Sequence, residues 1–185
     1  MPWRTAGESE RETRKDRVDP RLKAQGWNVV PFDLQKSLQV YDNCAIREYP
    51  TDYGPADYAL CVAGQILGVV EAKKLTLGPQ NVLTQAERYA RGATGNPLDY
   101  RGLRVPFLYS TNGEVLWHHD IRHPLNRSRR IAGFHSPDAL VERLQQDSEA
   151  ACAKLSQLPN NHPLLRPYQF EANSEKILKE FQVSN

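Results

Sequence analysis

The chain has 185 residues, 39% hydrophobic and 25% charged, with a formal net charge of +2. That excludes a disordered chain, allows one compact domain with a real core plus an appendage, and leaves any polyanion binding to local patches. Three cysteines, Cys44, Cys61 and Cys152, are far apart and form no C-x-x-C. They read as reduced thiols rather than a disulfide framework or a zinc site. No apolar run approaches the roughly 18 residues of a membrane span. The first residues, "MPWRTAGESERETRKDR", lack a signal-peptide apolar stretch. A cytoplasmic protein without membrane association is expected.

In chain order, "ESERETRKDRVDPRLKAQ" (8–25) predicts a charged helix, with Val18 and Leu22 as an apolar i, i+4 pair. Pro20 should kink or divide it and Gly26 should stop it. "WNVVPFDL" predicts a short strand that Pro31 confines to an edge. A second strand is expected over 40–48. Residues 49–56 are rich in Pro, Gly, Asp and Tyr and read as loop.

The next stretch carries the chemistry. Strands over 57–62 and 66–75 are expected to form a hairpin through a three-residue connection, Ala63-Gly64-Gln65. In "GVVEAKKL", alternation puts Glu71 and Lys73 on one strand face and Val70 and Ala72 on the other. A three-residue loop pairs Val62 with Ile66 and so places Asp57 opposite Glu71, with Cβ atoms about 5 Å apart. Two carboxylates that close repel unless a cation lies between them. Mg²⁺ favours such oxygen ligands, completed by water and phosphate oxygens. Lys73 on the same face suits orienting a water or stabilising charge on a phosphate. The set fits metal-assisted hydrolysis of a phosphodiester.

A helix is expected over 79–91, with Pro79 in its first turn and Gly92 as its stop. Gln85 and Tyr89 share one of its faces at i, i+4, placed to orient a nucleic-acid backbone or to support the catalytic residues. Residues 105–119 predict a second hairpin around Asn112-Gly113, and "SPDALVERLQQ" a helix with a Ser-Pro start. His118, His119, Asp120 and His123 lack a recognised metal-ligand spacing and read as exposed residues at a strand end. Arg127, Arg129 and Arg130 in "NRSRR" are candidates for phosphate contacts that position a protein without reading sequence. Ser110 and Ser136 have no triad context. Strands and helices interleave, which predicts an α/β or α+β fold with a mixed sheet.

Taken together these elements resemble the PD-(D/E)xK nucleases, and more narrowly the N-terminal endonuclease domain of type I restriction enzyme R subunits. "ERETRKDRVDPRLKAQGW" is similar to the first helix of that domain, "GPADYAL" with "GVVEAKK" to its catalytic hairpin, and "QAERYA" to its Q-x-x-x-Y motif. "VPFLYSTNGEVLWHHD" and "GFHSPDAL" are similar to its later strand pair and helix. The resemblance implies an α/β restriction-endonuclease-like core, a mixed central sheet flanked by helices. It implies that Asp57 and Glu71 bind Mg²⁺, that Lys73 assists the attacking water, and that Gln85 and Tyr89 support the site or the DNA. Ala56 stands where the family name has Pro, with Pro55 one place earlier. Related nucleases carry an acidic residue on the first helix, which points to Glu12.

Three segments are expected: 1–154 as nuclease domain, 155–163 as linker, and 164–185 as the first helix of a truncated superfamily 2 helicase motor. "LLRPYQ" resembles the opening of that motor, where Arg166 and Gln169 would recognise adenine with Tyr168 nearby. No G-x-x-x-x-G-K-[ST] loop occurs, so ATP use is expected of a full-length subunit only. The resemblance implies double-stranded DNA as substrate, and methyltransferase and specificity subunits as partners. The alternative reading is a nuclease-like fold that binds DNA or docks without catalysis.

Overall fold

The computed structural model describes residues 9–73, 83–93, 95–122 and 126–146, with a few isolated positions beyond. The chain divides into two compact units, 1–145 and 146–185. The expected linker, 155–163, lies outside the described residues, as do 74–82 and His123.

The N-terminal helix forms in three pieces, α1 (Glu10–Thr13), a π-helical segment (Arg14–Val18) and α2 (Asp19–Ala24). Ser9 and Glu12 close a capping box at its start, satisfying amides that have no partner inside the helix. Pro20 has no N–H and would crowd the carbonyl one turn back. The chain resolves this by widening rather than breaking: Asp19 N–H donates to Arg14 O, five residues earlier. Val18 and Leu22 are fully buried beneath it, and burying such a side chain stabilises the fold by about 2 kcal/mol.

Among the described residues, seven strands make one mixed sheet in the order β1-β2-β3-β4-β5-β6-β7. They are β1 (Asn28–Pro31), β2 (Cys44–Tyr49), β3 (Ala56–Val62), β4 (Gln65–Ala72), β5 (Phe107–Thr111), β6 (Leu116–Asp120) and β7 (Arg129–Ile131). The β1–β2 and β4–β5 pairs are parallel and the rest antiparallel. Pro31 lies on the edge strand, where its missing donor breaks no central ladder. A parallel β4–β5 pair needs a long crossover, and α3 (Leu83–Gly92) is part of it. Ala86 and Ala90 of α3 pack with Val69 and Leu108 on one sheet face. Val18, Leu22 and Leu140 pack with Tyr58, Val70 and Tyr109 on the other; Leu140 belongs to α4 (Pro137–Gln145).

The β3–β4 connection is tighter than expected. Val62 pairs with Gln65, so the loop is the two-residue Ala63-Gly64, not three. Both loop residues have positive φ, 47° and 74°, as a type I′ hairpin turn requires. A Cβ on Gly64 would come within 2.6 Å of Gln39 Oε1, so Gly also lets the turn seat against 39–42. One residue is then regained: the register shifts between Leu60 and Cys61, which pair with Gly68 and Ile66, leaving Leu67 as the extra residue of a bulge. Beyond the bulge Tyr58 pairs with Val70. The carboxylates at 57 and 71 therefore fall at the same step, as the longer loop would have placed them. Gly68 sits at this bulge because a Cβ there would meet Leu60 Cδ1 at 2.9 Å.

Asn96 holds the start of β4. Its carbonyl accepts from Ile66 N at 3.0 Å and its amide donates to Ile66 O at 2.8 Å and Arg104 O at 2.6 Å. The β4–β5 ladder begins only at Gly68, so a buried side-chain amide completes what the strand lacks. The second hairpin turns through four residues, 112–115, because Thr111 pairs with Leu116. Asn112 Oδ1 accepts from the amides of Glu114 and Val115.

His118 corrects an expectation. It is 2% exposed, and neither ring nitrogen has a hydrogen-bond partner. Its ring lies 4.8 Å from both Tyr109 and His135, and Tyr109 Oη and His135 Nδ1 are 2.7 Å apart. Even numbering on β6 turns it into the core, while His119 is partly exposed with Nδ1 3.9 Å from Glu87. Asp120 is paired with Arg122. Among the described residues no group of three or more His, Cys, Asp or Glu is placed to hold a metal.

Replacing Asn96 by Ala strands the two buried backbone groups of Ile66 and the half-buried Arg104 carbonyl and is expected to cost about 3 kcal/mol in denaturant unfolding. A second test is pH. Burial, with the charges of His135 and Arg143, pushes His118 down to about 3. The unfolded chain, with an ordinary pKa near 6.5, then binds the extra proton, so stability present above pH 6.5 is lost as pH falls toward 3. His118→Phe should remove about 2 kcal/mol of the loss that urea unfolding shows between pH 7 and pH 5.

Candidate active site

Asp57 on β3 and Glu71 on β4 sit one step past the Tyr58–Val70 pair. Asp57 is fixed at both oxygens. Arg14 Nη1 donates to Oδ1 at 2.5 Å, and the Ala72 amide donates to Oδ2 at 2.7 Å. Lys73 Nζ donates to Glu71 Oε1 at 2.7 Å. The Glu71 side chain is only 4% exposed. Its second oxygen, Oε2, is buried and accepts no hydrogen bond. An orphaned carboxylate oxygen beside a second carboxylate is an unusual burial, since such groups are normally satisfied.

The electrostatics follow from that placement. Burial, then the charge of Asp57, pushes the Glu71 carboxyl up to about 7, with Lys73 opposing. Burial also raises Asp57, against the Ala72 amide and Arg14. For Lys73, burial disfavours the ammonium, but the bond to Glu71 outweighs it and its pKa lies above the ordinary value. Burial works against Arg14 too, and the charges of Asp57 and Glu48 override it.

Three charged residues join the cluster without having been expected from the sequence. Arg14 enters from the π-helical segment and also donates to Glu48 Oε1 at 2.5 Å. Glu48 lies on β2 between the Arg47–Tyr58 and Tyr49–Ala56 pairs, at the step that faces Asp57. Its φ is +54°, a left-handed conformation that costs a non-glycine residue roughly 1 kcal/mol or more. Such strain clusters at sites that need a side chain aimed off the regular strand. Glu10 is the third, its charge bearing on both Glu71 and Lys73. Glu12, expected in that role, has its Oε2 on the Ser9 amide and hydroxyl in the capping box. The S-x-x-E signature of that box was legible at Ser9–Glu12; nothing in the sequence singles out Arg14 or Glu48.

Gln85 and Tyr89 meet as the i, i+4 spacing requires: Gln85 Nε2 donates to Tyr89 Oη at 2.8 Å. Tyr89 packs against the core that α3 shares with β4 and β5. Arg129 and Arg130 are exposed on the edge strand β7, three strands from β4 and so about 14 Å across the sheet. Arg127, just before it, lines a separate hollow with Glu87 and Arg101. Arg166 and Tyr168 are exposed, and Gln169 lies outside the described residues.

Residues 35–144 match the family described as the second domain of the type I restriction enzyme EcoKI endonuclease subunit. The chain belongs to that family. It is 27% identical, over 218 aligned positions and 91% of its length, to the type I restriction enzyme EcoKI endonuclease subunit of Escherichia coli strain K12. It shares its fold with a fragment described as an HsdR subunit of a type I restriction enzyme from Vibrio vulnificus YJ016, at a TM-score of 0.53 and 24% identity over 83% of this chain. The expected restriction-endonuclease-like α/β fold is therefore present. The chain spans 18% of the length of the E. coli relative and 29% of the Vibrio chain. Among the described residues no helix is long and apolar enough to cross a membrane.

The buried carboxylate supplies a test. With a folded pKa of about 7 against 4.5, Glu71 stabilises the metal-free fold below pH 4.5 and loses that contribution as pH rises through 7. Glu71→Gln, a neutral isostere, should raise stability at pH 8 by about 1–3 kcal/mol and change it little at pH 4. Thermal melts at the two pH values, in chelator, measure this.

Proposed function

We propose that this chain is the Mg²⁺-dependent DNA endonuclease domain of a type I restriction enzyme R subunit. The observation that carries the reading is the buried, unsatisfied Glu71 Oε2 beside the fixed carboxylate of Asp57. An acceptor that has lost water and gained no donor fits a cation as its partner. Two carboxylates form a hard oxygen set of the kind Mg²⁺ takes, together with waters and substrate phosphate. Asp57 and Glu71 would hold it; when bound, the ion supplies Lewis-acid polarisation of a phosphodiester and a more acidic water.

The chain's own groups do the rest. The Ala72 amide orients the Asp57 carboxylate. Lys73 Nζ, tied to Glu71 Oε1, orients the attacking water and offsets charge that grows on the phosphate. Tyr89 Oη, held by Gln85, can bond a DNA phosphate from the helix face. Arg127, Arg129 and Arg130 suit backbone contacts away from the site. In this reading cutting is not sequence-specific by itself. Methyltransferase and specificity subunits supply recognition, and an ATP-driven motor, to which Arg166 and Gln169 would belong, supplies translocation. Such an enzyme would work on cytoplasmic DNA.

The test is duplex cleavage by the complete subunit complex with Mg²⁺ and ATP. Asp57→Ala and Lys73→Ala should each lower cutting at least a hundredfold. Mn²⁺ titration calorimetry of this chain should lose its binding heat in Asp57→Ala and keep it in Lys73→Ala. Undiminished cutting by either variant would discard the assigned roles, and by both would leave a fold that binds DNA or docks without catalysis.

A further inference from the structure

The groove beside the site is basic and built from the same helix that supplies Arg14. It encloses about 530 Å³ between the N-terminal helix and the β1–β2 edge of the sheet. Arg11, Arg14 and Lys15 line one wall and Arg47 the other, with Glu48 and Tyr58 also facing it. Two of these cations are committed: Arg14 to Asp57 and Glu48, and Arg47, more loosely at 3.8 Å, to Asp19. Arg11 and Lys15 are exposed and have no side-chain partner among the described residues. The spacing is helical, 11, 14 and 15, so one face of the widened turn presents all three.

Continuity decides what this groove holds. Arg14 Nη1 touches the Asp57 carboxylate on one side, and its side chain lines the groove on the other. A polyanion lying in the groove thus meets Arg14, the side chain that also holds the Asp57 carboxylate. The Arg127–Arg130 segment, on the far edge of the sheet, has no such link. We infer that the groove of Arg11, Arg14, Lys15 and Arg47 seats the DNA backbone phosphates flanking the scissile bond. This rests on the nuclease reading for its substrate, yet its binding test needs no cleavage. Guanidinium and ammonium groups free of internal partners bind phosphate by releasing condensed counterions, so the contact is salt-dependent and independent of base sequence. Arg14 serves both sides: its fork is fixed by Glu48 and Asp57 at one end and can turn a free N–H edge to a phosphate at the other.

The experiment is fluorescence anisotropy of a labelled duplex, about 30 base pairs long, with this chain in EDTA, at salt concentrations from about 50 to 200 mM. Arg11→Ala/Lys15→Ala should bind at least tenfold more weakly in the middle of that range. Its slope of log affinity against log salt should fall by about two. Lys23→Ala/Lys36→Ala removes the same charge from surfaces outside the groove and should change affinity less than threefold. Equal weakening by the two double variants, or an unchanged slope for the first, would overturn the groove. A poly-glutamate chain that competes as well as unlabelled duplex at equal charge would overturn the phosphate assignment in favour of an acidic peptide. The two readings fail separately: Lys73→Ala tests cutting by the complex, whereas Arg11→Ala/Lys15→Ala tests duplex binding in EDTA, where no cleavage takes place.

Discussion

Antiparallel pairing of β3 with β4 brings the Asp57 and Glu71 carboxylates to one end of a shared ladder, and that end is nearly closed to water. Everything near the site answers to this constraint. Two acids at that separation cannot both be charged in a dry pocket without cations at hand. Lys73 supplies one from the same strand, and Arg14 supplies another from the opposite side. Even so, one oxygen of Glu71 is left without a donor. The fold tolerates a group that destabilises it, as functional sites commonly do and interior packing positions seldom do.

The supporting structure is arranged around the same pair. The left-handed Glu48 interrupts β2 opposite Asp57 and turns its carboxylate toward Arg14. The π-helical segment both absorbs Pro20 and sets the phase that presents Arg14. Tyr58, adjacent to Asp57, donates to Asp19 at 2.7 Å and so ties the helix to the strand that carries the site. Asp57 is then held at its two oxygens by Arg14 and by the Ala72 amide.

Much of this was legible from residue order, and the misses have physical reasons. Period-2 alternation over "GVVEAKKL" puts Glu71 and Lys73 on one face whatever the fold, and the i, i+4 spacing makes Gln85 meet Tyr89. The hairpin loop is one residue shorter than the three-residue reading, because Ala63 takes the positive φ that a two-residue turn demands. The bulge at Leu67 restored the missing residue, so the carboxylates met through a different route from the one expected. His118 was expected at the surface because a run of two histidines and an aspartate looks polar. Burial of a neutral imidazole against Tyr109 and His135 depends on ring packing, which composition does not encode. Glu12 shares the first helix with Glu10 but is engaged by Ser9 in the capping box, while the charge of Glu10 bears on Glu71 and Lys73.

What residue order determined by itself was local and periodic: the strand and helix segments, the acid-x-lysine face, the turn glycines and the resemblance to a nuclease family. Those follow from dihedral preferences and side-chain spacing within a few residues. What tertiary structure alone decided was which distant charges share a pocket. Arg14, Glu48 and Asp57 lie on three separate elements, and their meeting depends on sheet order, a bulge and a widened helical turn. Desolvation of Glu71 is likewise a property of the assembled interior, because water is excluded only when both sheet faces are covered.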